Sequence, residues 1–185
     1  MSSSARPALG TAAALILAAC APSSPNVAAV RQQWTERSNN GMSDWSNKSI
    51  NMMIDKYGSP DRVETLGLVW YNRGPWVKIV VWDELGFLYV DRSSHNLEET
   101  IAYPVPVDKR GALSSFSGGL HISANGAELS ARSQSEEKNF LMLNLADEIV
   151  RGLLSPEDAR VSYLRTLQLA DAGKTSPSMQ GLLFR

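Results

Sequence analysis

"LGLVWYNRGPWVKIVVWD", residues 66–83, decides the fold. It contains two runs rich in Val, Ile and Trp, Leu66–Tyr71 and Trp76–Asp83, and such runs bounded by turn residues read as strands. Asn72-Arg73-Gly74-Pro75 lies between them. Asn and Gly tolerate left-handed backbone and Pro presets φ, so this stretch is expected to be a hairpin turn. Side chains alternate across a strand. Val77, Ile79 and Val81 therefore share one face, expected in the core. Trp76, Lys78, Val80 and Trp82 share the other, expected as an aromatic face carrying a lysine.

The same reading extends outward. A further strand is expected at Phe87–Val90, after a turn at Glu84-Leu85-Gly86. Leu97, Glu99, Ile101 and Tyr103 alternate in another, closed by Pro104 and Pro106. Four neighbouring strands with short links predict an antiparallel sheet. Gly119–Ser123 and Glu128–Arg132 flank Ala124-Asn125-Gly126, and Asn-Gly is the strongest short hairpin signal. Helices are expected over Val27–Ser38, Ser46–Tyr57, Asp108–Phe116 and Gln134–Arg151. The last of these is read as opened by a capping box, Ser133 with Glu136. Its apolar face is Met142, Leu145, Ala146, Ile149 and Leu153, so the helix is expected to be central. Ser155-Pro156-Glu157-Asp158 starts a final helix that runs to about Ala172. The fold class is α+β: an antiparallel sheet of four to six strands with helices packed on one face. A single domain is expected over residues 44–172, after a tether and short helix over 20–43 and before a flexible tail over 173–185.

The N-terminus gives an address. The apolar run from Ala8 to Ala19, broken only by Gly10 and Thr11, is shorter than the ~20 residues a spanning helix needs. It fits the apolar core of a secretory signal flanked by Arg6. Within "ALILAAC", residues 14–20, Leu17-Ala18-Ala19-Cys20 resembles the lipobox of bacterial lipoproteins. That resemblance implies a signal peptide over 1–19, cleavage between Ala19 and Cys20, a diacylglycerol on the Cys20 thiol and a fatty acyl chain such as palmitate on its new amino group. The expected partner is then a lipid bilayer, with the protein facing the periplasm. Ala21, where Asp would favour the inner membrane, resembles the outer-membrane class.

Composition narrows the function classes. Without residues 1–19 the chain keeps 166 residues, with 17 basic against 19 acidic side chains. A near-neutral chain lacks the basic footprint of a nucleic-acid binder. One cysteine excludes an internal disulfide, so packing alone must hold the fold.

Little in the sequence points to catalysis. His95 and His121 are the only histidines and lack ligand spacing, so no metal site and no cofactor are expected. No serine sits in a Gly-x-Ser-x-Gly elbow, and no catalytic residue is assigned. The residues singled out are Trp70, Tyr71, Asn72, Arg73, Trp76 and Trp82. Amphipathic rings beside an arginine suit a surface that recognises an envelope protein or cell-wall partner; the competing reading is core packing of a hairpin. A second function, an envelope hydrolase, would use His121, Glu128 and Arg132, although Glu128 and Arg132 also read as a solvated ion pair. A third is a purely structural lipoprotein.

Residues 55–82, "DKYGSPDRVETLGLVWYNRGPWVKIVVW", together with "ELSARS" (128–133) and "NFLMLNLADEIV" (139–150), resemble a group of small uncharacterised bacterial envelope lipoproteins. That resemblance implies a shared fold unit without an activity. More distantly, Gly58, Pro60, Asp61 and Val63 resemble the modules of outer-membrane-assembly lipoproteins and beta-lactamase inhibitor proteins, from which the long helices of the second half depart.

Overall fold

Six antiparallel strands form one sheet, seen in a computed structural model that describes residues 25–39, 44–83 and 95–184. In chain order the strands are β1 (Arg62–Glu64), β2 (Gly67–Arg73), β3 (Trp76–Trp82), β4 (Leu97–Ala102), β5 (Leu120–Ile122) and β6 (Glu128–Ser133). They lie side by side as β1-β2-β3-β4-β6-β5. The helices are α1 (Val27–Asn39), α2 (Asp44–Tyr57), α3 (Arg110–Phe116), α4 (Glu136–Val150) and α5 (Pro156–Asp171). The α+β architecture is the one the hydrophobic periods indicate. The expected strand Phe87–Val90, its turn, and the N-terminal segment with Ala19 and Cys20 lie outside the described residues.

Register aligns the core. Trp70, Ile79, Glu99, Ala131 and Leu120 are successive cross-strand neighbours through β2, β3, β4, β6 and β5. Leu68, Val81 and Leu97 form the adjacent row. These apolar side chains are buried, and α4 packs against this side of the sheet. Helix α4 is buried over most of its circumference, as a central helix must be. The expected Leu153 contact does not form, because the helix ends at Val150 and Gly152 turns the chain at φ 74°; Leu153 is 60% exposed.

Three further differences have local causes. Ser133 is the last residue of β6, paired with Leu97, so it cannot also cap α4. Ser135 does so instead, its hydroxyl accepting from the Lys138 N–H. Glu136 is thereby freed to turn inward. Second, α1 belongs to the packed unit rather than to a tether. Val30 and Trp34 enter the core, and Arg31 bonds to Asp55 of α2 at 2.6 Å. Third, the segment after α5, read as a tail, is tied to α4. The buried Asn144 amide donates to Ser178 O and Gly181 O, both at 2.9 Å, and its carbonyl accepts from Leu183 N at 2.8 Å. Phe184 meets Tyr103 edge-on at 5.3 Å.

One polar contact joins α2, β3 and α4. Glu136, only 5% exposed, accepts from the Trp76 indole at 2.8 Å and from the Tyr57 hydroxyl, and pairs with Lys56. The Trp76 ring stacks on Phe140 of α4 with centroids 4.8 Å apart. Trp76 thus turns to the α4 side of the sheet instead of joining an outer aromatic face, since both its ring area and its N–H find partners there. Val80, also expected on that outer face, is buried, and Val77 of the expected core set is only partly so.

Glu136→Ala would leave the Trp76 indole and the Tyr57 hydroxyl without this acceptor, at a cost of about 1–3 kcal/mol for each buried donor. The neighbouring exposed Glu137→Ala should cost no more than about 0.5 kcal/mol. Urea denaturation of both variants measures the difference.

Candidate functional site

The aromatic hairpin is built inward. Trp70 is fully buried and its indole donates to Gly58 O at 2.9 Å, the polar partner a buried Trp needs. Trp76 is 1% exposed and committed to Glu136. Arg73 donates to Asp61 at 2.9 Å and to its own strand at Tyr71 O, 2.6 Å. Asp61 also accepts the Tyr71 N–H at 2.7 Å. Arg73 therefore braces the turn before β1 against the hairpin. Asn72 takes left-handed backbone, φ 52°, and its side chain is exposed. Trp82 is half-buried, donates to Glu98 at 2.9 Å and carries the Arg132 guanidinium 5.2 Å above its ring. Of the six residues singled out, two of the three tryptophans, Trp70 and Trp76, are core. The core-packing reading is the one the geometry supports for Trp70 and Trp76, while Tyr71 and Trp82 keep part of their surface exposed.

His121, Glu128 and Arg132 share a sheet face without converging. His121 pairs with Ser130, and Glu128 and Arg132 lie two residues to either side on β6. At about 3.4 Å per residue, Glu128 and Arg132 are roughly 14 Å apart along the strand. Arg132 is occupied by His95 O at 2.7 Å and by Trp82.

His121 instead lines a cavity of about 390 Å³ between α3 and the β5–β6 hairpin. Leu113, Leu120 and Ile122 supply its apolar wall; Arg110, Ser114 and Ser123 supply polar groups. Arg110 is half-buried, its Nε is wholly buried, and its guanidinium has no partner among the described residues. The hairpin approaches Arg110 at Gly126, φ 73°, where an added Cβ would collide with Nη2. The Asn-Gly signal marks this turn in the sequence, but nothing local marks Arg110. A second cavity, about 220 Å³ between α3, α4 and α5, is lined mainly by Phe116, Met142, Tyr163 and Leu164. Its arginine, Arg160, is already held by Ser115 O and Glu157.

No family model, no curated protein and no solved structure matches this chain. Among the described residues, no group of three or more His, Cys, Asp or Glu is arranged to hold a metal, and no helix is long and apolar enough to cross a membrane.

A buried carboxyl lies in the sheet row facing α4. Glu99 has no exposure; one oxygen accepts from Asn139 at 2.9 Å and the other has no partner. Burial, and then the nearby Glu136 charge, push its pKa well above the usual carboxylate range. The folded state therefore holds this proton more tightly than the unfolded chain. That contribution is fully present below the unfolded pKa of about 4.3 and is lost as pH rises through the folded pKa. Glu99→Gln, which stays neutral, should gain stability relative to wild type as pH rises from 4 to 8. Urea titrations at both pH values read this directly.

Proposed function

We propose that the chain is a membrane-anchored envelope lipoprotein that serves as a non-enzymatic binding or assembly module. The observation that carries this reading is Leu17-Ala18-Ala19-Cys20 at the end of an apolar run. Two or three acyl chains on one cysteine hold a protein far more firmly than a single chain, each buried methylene contributing about 0.8 kcal/mol. The segment from Cys20 to the start of α1 at Val27 spans seven residues, a reach of at most about 25 Å when fully extended. A domain on so short a leash works close to the bilayer surface. The cavity at Arg110 supports a binding role, because it offers an unpaired cation beside an apolar wall. The partner is then an envelope protein or a cell-wall component.

Cys20→Ala should abolish metabolic fatty-acid labelling and move the protein from the membrane to the soluble fraction. Labelling that persists in the variant would refute the attachment site.

A further inference from the structure

We infer that the cavity between α3 and the β5–β6 hairpin binds a small carboxylate ligand bearing an apolar substituent, with Arg110 pairing to the carboxylate. This names the ligand class for the binding role proposed above and rests on that reading.

Arg31, Arg73, Arg151 and Arg160 each pair with an acid. Arg110 alone combines partial burial, a buried Nε and no partner among the described residues. Burying its Nε without an acceptor is unfavourable, and the rest of the half-buried guanidinium keeps donors free for what binds it. Its surroundings are fixed. Gly126 N donates to Ser123 O and Gly126 O accepts from Val105 N, both at 2.8 Å, so the turn against which the guanidinium lies is pinned on both sides.

The lining then selects the ligand. It contains no Asp or Glu, so nothing in it repels an anion. Arg110 is its only permanent charge, which matches a monoanion better than a dianionic phosphate. The planar guanidinium fits a carboxylate through two parallel hydrogen bonds. The Ser123 hydroxyl is already engaged with Asn125 Oδ1 and Glu128 N, at 2.7 and 2.9 Å. Ser114 and His121 have no side-chain partner among the described residues and remain available for the ligand's polar groups. Leu113, Leu120 and Ile122 offer an apolar wall for its substituent. A volume of about 390 Å³ accommodates one amino-acid-sized group with its cap, at the small end of ligand sites. The free C-terminal residue of a peptide has this chemistry.

The test is a titration of the full-length protein in detergent micelles, followed by amide NMR, with N-acetyl-leucine, its neutral amide N-acetyl-leucinamide, and inorganic phosphate as probes. N-acetyl-leucine should shift the amides of residues 110–124 saturably, and the amide should not at equal concentration. Arg110→Gln should weaken binding about thirtyfold or more, as when one partner of a buried charge pair is removed. Absence of binding, equal binding of acid and amide, tighter binding of phosphate, or unchanged affinity in a folded Arg110→Gln variant would each overturn the proposal. The acid–amide comparison uses the wild-type chain, so it stands even if the variant does not fold. The titration reads the pocket and fatty-acid labelling reads the anchor, so failure of one leaves the other distinguishable.

Discussion

Much of this architecture depends on one carboxylate, that of Glu136. It sits in the first turn of α4, where the unsatisfied N–H groups and the helix dipole favour negative charge. Placed there, it gathers the Trp76 indole, the Tyr57 hydroxyl and the Lys56 ammonium. Burial and that hydrogen bond raise the Tyr57 hydroxyl pKa, so the phenol stays a donor. The consequence for function is direct. Because Trp76 must reach α4, the hairpin between β2 and β3 faces inward. Trp70 and Trp76 of the chain's densest aromatic stretch then serve as part of the joint between sheet and helices.

The second buried carboxyl follows from the same packing. Asn139, one turn after Glu136, reaches β4 and donates to both Leu97 O and Glu99. Two glutamates thus share one interior, and like charges held close disfavour joint ionisation. Glu136 has donors and a cation; Glu99 has one amide. The proton therefore belongs on Glu99, and α4 is bound to the sheet through one carboxylate and one neutral carboxyl. With no internal disulfide possible, this polar seam and the apolar rows beside it carry the fold.

How much of this the sequence reveals depends on range. The alternation of Leu97, Glu99 and Ile101 already places Glu99 among core positions, and the two hairpins follow from their turn residues. The capping box fails because Ser133 and Ser135 both suit a helix start; only the pairing of Ser133 with Leu97 decides between them. The C-terminal segment is tied down by Asn144, whose partners lie 34 to 39 residues away. Arg110 becomes notable only when folding brings it beside Gly126, without an acid in reach. Hydrophobic period and turn chemistry are local, so they reveal the elements. Satisfaction of buried polar groups is nonlocal, so it conceals the site.

The sheet edges explain where a partner would meet this domain. Among the described residues both outer strands, β1 and β5, are three residues long. Short edges offer few free backbone groups, a common protection against strand addition. A peptide would therefore gain little by extending the sheet. Beside β5, however, α3 stands off far enough to leave a cavity whose cation is unpaired. Recognition at that edge would rest on one charge-assisted contact and an apolar wall, not on a backbone ladder. Such a site would read the end of a ligand rather than its length.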